Sequence, residues 1–513
     1  MRGARTLVGA LLLLAAGCTG LAPGVPVRGD ATTPPAGGAS EATDAAGEAV
    51  PTRRIRVAYP DSPAAFVGLD PRDPAAVDLA ALWGLPLYRV DPAGQWRPGL
   101  AVAATETRGD DGWQVEVDLA AGAWSDGAPV TSADVVATAE ALRAARPDAW
   151  AGVGEVVAVD VDTVRIDAPA PVGTWPALLS GAPGVLPAHV LAEGGLDAFR
   201  DEVPVSGGWF RVVDAVEGRS VTLDANPRSP LGPPGAEGID VDVVPSYETA
   251  LGLLSRGEVD AVVGHAALNP VVRAARLDEV RAEAPLGGTW VGLAFDEPGG
   301  VLTGPDRADD RRRIVEALDL TRFIEGLLAD AGGVLTSPVP GVDGPWTVGT
   351  GTPPLPSRVS LPREPVLLLP RGPDISGLTG RTVQREASLA GVTLRLVGVS
   401  VPDSFDPVDE VDARLVVVRS LPSPDLTWLL GEGGAGDDVT TVARSAAAGA
   451  EGTAEARREA LAPGFAVLRD AAVVTPLYRV GIAHAWHPRL TGVRPSAWAG
   501  AGFWDAGAWR VEG

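Results

Sequence analysis

Among 513 residues there is a single cysteine, Cys18. No internal disulfide can form, so whatever this chain folds into must be held together by its packed core. The composition supplies such a core: 46% of residues are hydrophobic and 21% charged, as in globular proteins. All 42 basic residues are arginine, and no lysine occurs. That excludes the G-x-x-x-x-G-K-[ST] phosphate loop, protein kinases and Schiff-base enzymes, each of which needs a lysine amine. Neither G-x-S-x-G nor H-E-x-x-H is present, and no cysteine pair is available for a metal. His484 and His487 are three apart, but they follow the strand-like Val480-Gly481-Ile482 and precede Pro488. A shared helical face is therefore not expected there, nor a metal site. With no acid, base and nucleophile to assemble, we expect no enzyme, no catalytic residue and no cofactor. The net charge of −24 sets up a field that repels nucleic acid.

The position of the cysteine is as informative as its solitude. Arg2 and Arg5 precede an apolar run from Leu7 to Ala16, which closes as Leu14-Ala15-Ala16-Gly17-Cys18. This order reads as a secretory signal, too short for a membrane-spanning helix. Small residues followed directly by cysteine resemble the lipobox of bacterial lipoproteins, in which the thiol is acylated and becomes the new N-terminus. The alternative is a plain signal with an incidental cysteine. The resemblance implies that residues 1–17 are removed and that Cys18 is the lipidation site. The protein would then sit on the extracytoplasmic face of the cell membrane. One acyl chain, at ~0.8 kcal/mol per buried methylene, gives only marginal anchoring, whereas a diacylglycerol thioether supplies two. Removing 17 residues leaves 496, enough for roughly three domains of ~150 residues. Residues 18–52, rich in Ala, Gly, Pro and Thr, are expected to be a disordered tether.

The body then alternates strands and helices. Strand patterns occur at Arg54–Tyr59, Gln114–Leu119, Val164–Ile166, Gly208–Val213, Ser220–Leu223, Ile239–Val244 and Asp260–Val263. Helices are predicted over 75–85, over 132–145 with Thr131 or Ser132 as cap, and over 247–256. A second half restarts with a strand at Trp290–Phe295 and a helix over 309–328, then a Pro/Gly-rich loop over 333–364. Further strands at 366–369, 393–397, 413–418 and 473–480 alternate with helices near 380–391 and over 457–469. This pattern predicts an α/β body of at least two lobes.

Several of these segments together resemble the peptide/nickel class of extracellular solute-binding proteins, which feed ABC importers. Leu69-Asp70-Pro71, then Leu87-Tyr88-Arg89-Val90-Asp91-Pro92-Ala93-Gly94 and Pro98-Gly99-Leu100-Ala101, look like that family's N-terminal region. The fullest match is the strand, Asp-Gly turn and capped helix from Val117 through Trp124-Ser125-Asp126-Gly127 to Ser132-Ala133-Asp134-Val135-Val136. Ser206-Gly207-Gly208-Trp209-Phe210, Asn226-Pro227, Gly257-Glu258-Val259-Asp260-Ala261, Asp310–Asp319, Val474–Tyr478 and Leu490–Val493 follow in the same order. The likeness runs over roughly residues 54 to 513.

The resemblance implies a two-lobed periplasmic-binding-protein-like α/β fold of the large peptide-binding class, with a hinge and an extra subdomain in the first lobe. Residues 53–284 would form the first lobe, with the subdomain at about 83–174 and completion by 484–513; residues 285–483 would form the second. It further implies a monomer that captures an oligopeptide or similar organic solute and delivers it to the permease subunits of an ABC transporter. Many peptide-binding members fix the ligand's amino terminus with an aspartate in a D-x-x-x-P stretch. Aligned on Pro424, that place here is Ser420, beside Arg419, and a hydroxyl cannot pair with an ammonium as a carboxylate does. Asp425 either replaces the lost acid or caps a helix over 426–430, and Arg419 either meets an anionic ligand group or pairs with an acid of the chain. Trp124, Trp290, Trp428 and Trp504 sit near segments that would border the cleft in this family, each either a stacking surface or a core residue. The alternative function is a lipoprotein that kept the fold but lost transport and serves cell-envelope glycolipid assembly or regulation.

Overall fold

The computed structural model describes residues 53–512, with breaks at 62, 64–72, 110–111, 151, 170–171, 173–174, 182, 200–201, 266–268, 296–298, 329–331, 335–360, 372–373, 390, 401–410, 420, 422–425, 431–436, 449–453, 499 and 501. Leu69-Asp70-Pro71, most of the Pro/Gly-rich segment, Ser420, Asp425 and Cys18 with its leader and tether fall outside them.

The strand Arg54–Tyr59 lies in the middle of a seven-stranded sheet. It pairs in parallel with Gly238–Val243 on one side and Ala261–His265 on the other. Ser220–Ala225 and Phe210–Val216 extend the sheet beyond the first neighbour, and Ala483–Trp486 and Arg281–Glu283 beyond the second. A central parallel strand must be covered on both faces. Ile55, Val57 and Tyr59 pack with Phe210, Phe503 and Trp509, while Ala58 packs with Tyr247, Leu251 and Leu254 on the other face. The helix Pro74–Trp83 covers the first of these faces. Asp73 starts it, accepting from the amides of Ala75 and Ala76 at 3.1 and 3.0 Å, with Pro74 at the first turn where no amide is needed.

A four-stranded antiparallel sheet follows, ordered Ala101–Gly109, Gly112–Leu119, Thr163–Ala168, Val156–Ala158. The Asp-Gly turn after it is built as its residues demand. Asp126 accepts from the Ala128 amide at 3.0 Å, and Gly127 takes φ +98°, which a side chain resists. The helix Ser132–Ala145 begins with Asp134 reaching back to the Thr131 amide at 2.8 Å.

A six-stranded sheet forms the other lobe, in the order Gly332–Val334, Val474–Val480, Thr289–Ala294, Ala413–Arg419, Val366–Arg371, Arg395–Ser400. It shares one core with the helices Asp374–Leu389, Asp437–Ala448 and Ala454–Ala471. The α/β class and the two-lobed plan thus stand as expected. One expected helix is broken: that over 309–328 is Ala308–Glu316, followed by a short turn Thr321–Phe323 and a π-helical turn Ile324–Leu328. Asp319 causes the restart, its carboxylate accepting from the Thr321 amide at 3.1 Å, a local bond that competes with the helical ladder.

Candidate functional site

Two chain segments cross side by side from one lobe to the other. Strand Arg281–Glu283 of the seven-stranded sheet leads through 284–288 into Thr289–Ala294 of the six-stranded sheet. Val474–Val480 of the second sheet leads back through Gly481 and Ile482 into Ala483–Trp486 of the first. The crossings touch: the Ile482 amide donates to the Pro285 carbonyl at 3.3 Å, and a Cβ on Gly481 would lie 2.6 Å from the Ala284 carbonyl oxygen. Short paired crossings of this kind form a hinge.

Beyond the hinge, the second lobe sends one side chain into the first. Arg419 ends the strand Ala413–Arg419, opposite Thr289 in the ladder and one step from the Trp290–Val418 pair. Its guanidinium forms an ion pair with Asp78 of helix Pro74–Trp83, and its Nη2 donates to the Gly264 carbonyl at 2.5 Å. Tyr59 donates its hydroxyl to the same Asp78 carboxylate at 2.9 Å. Both charged side chains are almost fully buried, at 1% and 0% exposure, so the pair is unscreened by solvent. His484 lies near, its Nε2 donating to the Ser496 carbonyl at 2.9 Å. Because the partner is a carbonyl, Nε2 carries the proton. Burial, reinforced by the Arg419 charge, pushes the His484 imidazole down to about 4 against the opposing Ser496 bond, so the ring is neutral. Burial likewise raises the Tyr59 hydroxyl above its ordinary value, with Arg419 opposing. Asp78 Oδ1, Arg419 Nε and His484 Nδ1 have no hydrogen-bond partner among the described residues.

A cavity of about 50 Å³ lies against the helix Pro74–Trp83, walled by the first lobe and reached by one residue of the second. Tyr88, Arg89, Trp209 and Trp504 of the first lobe line it, with Leu421 of the second. Arg89 lies over the Trp209 ring at 4.8 Å and donates through Nε to the Pro98 carbonyl at 3.0 Å. Burial lowers its pKa, Asp505 opposing and Arg494 assisting. Trp504 is fixed edge and face: its Nε1 donates to the Arg494 carbonyl at 2.8 Å, and the Arg494 guanidinium covers the ring at 4.3 Å.

Of the residues singled out in the sequence, Arg419 and Trp504 come to this boundary. Arg419 pairs with an acid of the chain, as one of its two readings held, although that acid is more than three hundred residues away and in the other lobe. Trp290 is buried on its strand in the second-lobe core. Trp124 is buried in the first-lobe core, where Gly207 leaves room for its ring, and its Nε1 has no hydrogen-bond partner among the described residues. Trp428 belongs by its backbone to the 3-10 turn Thr427–Leu430. Ser420, Asp425 and Cys18 lie outside the described residues. His484 and His487 do not converge on a metal: each ring nitrogen that bonds does so to a carbonyl. Among the described residues no cluster of three His, Cys, Asp or Glu could hold a metal ion, and no helix is long and apolar enough to cross a membrane. Asp78, Tyr59 and Arg89 were not anticipated. Asp78 did leave a signal, as the one charged residue in the otherwise apolar helix Pro74–Trp83.

Comparison with known proteins places this geometry in context. Residues 95–354 match the family model of the bacterial extracellular solute-binding proteins, family 5, middle region. No curated protein matches significantly. Among solved structures, the chain is similar to the oligopeptide-binding protein AppA from Bacillus subtilis in complex with a nonapeptide. That likeness has a TM-score of 0.71 at 17% identity, covering 90% of this chain and 99% of that one. NikZ from Campylobacter jejuni in complex with Ni(L-His) gives 0.70 at 17% identity over 90% and 100%. The agropinic acid complex of AgaA from A. tumefaciens R10 gives 0.71 at 17% identity over 90% and 99%.

Proposed function

The chain belongs to the bacterial extracellular solute-binding proteins of family 5, and from that premise we propose that it captures an oligopeptide or similar organic solute between its lobes and delivers it to the permease of an ABC transporter. In this reading residues 53–284 with 484–513 form one wall of the cleft and residues 285–483 the other. Lipid on Cys18 holds the monomer at the outer face of the cell membrane, and residues 18–52 give it reach. The protein binds and hands over; it performs no chemistry on its solute.

The observation that carries the proposal is the paired crossing at 284–288 and 481–482 with an aromatic-walled cavity that Leu421 of the second lobe reaches. Two lobes on such a hinge close over a ligand, exclude water and present a changed surface to a partner. A second reading is favoured by one specific observation, the Arg419–Asp78 pair. There Arg419, next in sequence to the position where the resemblance puts the ammonium-binding aspartate, is neutralised by an acid of the chain itself, which suits a lipoprotein of this fold engaged in envelope glycolipid assembly or regulation rather than peptide import.

One experiment tests both the anchor and the solute: mass spectrometry of the full-length protein purified from membranes under mild conditions. The expected result is an N-terminal Cys18 carrying a diacylglycerol, together with a co-purifying peptide or small organic solute. A free, unmodified leader rejects the anchor. A glycolipid in place of a small solute selects the second reading, and an absence of any retained molecule counts against capture.

A further inference from the structure

Arg89 is an unusual cation. Its Nε is used by the Pro98 carbonyl and one face of its guanidinium by the Trp209 ring, yet no carboxylate of the described residues forms an ion pair with it. The two Nη groups, which carry four of the five N–H donors, have no hydrogen-bond partner there. Burial already disfavours its charge. A half-buried guanidinium held flat against an indole, with its end-on fork unused, is arranged to receive a planar anion in two parallel hydrogen bonds. The other side chains lining the cavity are apolar or aromatic apart from two hydroxyls: Ser180 Oγ accepts from the Tyr88 amide at 2.9 Å, and the Tyr88 phenol has no hydrogen-bond partner among the described residues.

We propose that this cavity binds the carboxylate end of an apolar organic acid, with Arg89 as counter-ion and Trp209, Trp504 and Leu421 enclosing the carbons next to it. The proposal rests on the solute-capture reading and names the chemical class of the solute. Charge favours a monoanion: the chain carries −24, and Asp505 lies close enough to act on Arg89, so a phosphate dianion meets more repulsion than a carboxylate. Size sets which part of the solute enters. About 50 Å³ exceeds the roughly 10–15 Å³ one water needs, but is well below the ~150 Å³ of an engineered cavity that holds benzene. The cavity therefore takes one end of a molecule, whose remainder extends into the cleft. Leu421 follows the strand that bears Arg419, so closure of the second lobe brings the lid onto the bound carbons.

The test is isothermal titration of the full-length chain with hexanoate, hexanol, hexylamine and inorganic phosphate. Hexanoate is expected to bind and the other three not to bind measurably. Arg89→Gln is expected to weaken hexanoate at least tenfold and Arg89→Lys to restore part of the loss, while Trp504→Ala reduces the gain in affinity from acetate to hexanoate. If Arg89→Gln fails to fold, the Arg89→Lys variant and the wild-type ranking decide. Equal affinity of hexanoate for wild type and Arg89→Gln overturns the proposal, as does a preference for hexanol or hexylamine. Neither result touches solute capture. That reading fails only if the wild type also retains no molecule from cells.

Discussion

His484 shows what the lobe boundary asks of a single residue. The ring is fully buried, bonded through Nε2 to Ser496, and faces the Arg419 charge, so protonation would place two cations together without water. Its pKa, near 6.5 in the unfolded chain, falls to about 4 in the fold. A depressed pKa means that the unfolded state binds the proton first as pH drops. The contribution is therefore complete above about pH 6.5 and is lost progressively down to about pH 4, by up to about 3 kcal/mol. We expect His484→Gln, which keeps a donor for Ser496, to flatten the decline of Tm between pH 6.5 and 4. Calorimetry across that interval checks it; parallel curves for the two proteins would exclude the residue as the source. Nothing in the sequence marked His484 for this role. Its spacing to His487 invited a metal, and only the strand-like flank argued against one.

At the scale of elements, the Asp-Gly turn and the helix after it were legible because their determinants are local. Asp126, Gly127, Thr131 and Asp134 lie within nine residues and act on one another. What the sequence does not carry is the second bond of Asp134. Its Oδ1 accepts from the Ala188 amide at 2.7 Å, so one buried carboxylate starts two helices, Ser132–Ala145 and Ala188–Gly194, from positions 54 residues apart. Asp134→Ala strips acceptors from two part-buried amides and is expected to cost about 2–4 kcal/mol, by the ~1–3 kcal/mol each unsatisfied group loses. Asp134→Asn, which keeps one acceptor oxygen, should lose about half. Urea denaturation resolves the two, and an alanine cost below about 1 kcal/mol would show the bonds to be redundant. The helix over 309–328 failed for the converse reason. Its apolar spacing is sound throughout, but one acid, Asp319, makes a tighter local bond that periodicity does not register.

The two-lobed plan was readable at the scale of the molecule, since strands and helices restart midway and the family motifs run in order. The contact between the lobes was not, because Arg419 and Asp78 are joined only by the fold. That contact has a consequence for closure. A solute-binding protein ordinarily closes on the free energy of its ligand, whereas here the second lobe is tied to the first by the protein's own buried pair, with Tyr59 and Gly264 completing the seat. Arg419→Ala alone strands the Asp78 carboxylate and is expected to cost about 3–5 kcal/mol, a loss that says little about closure. Replacing both partners with apolar residues, Asp78→Leu with Arg419→Met, removes the charges together and should be close to neutral in global stability. If the pair holds the lobes shut, that double variant has a larger radius of gyration than wild type by small-angle X-ray scattering without ligand, the shared tether cancelling in the comparison. Addition of the captured solute should then return it toward the wild-type value. A double variant with the wild-type scattering curve would mean that the hinge and the surrounding apolar contacts close the cleft unaided, and that the ion pair only fixes how the closed lobes register.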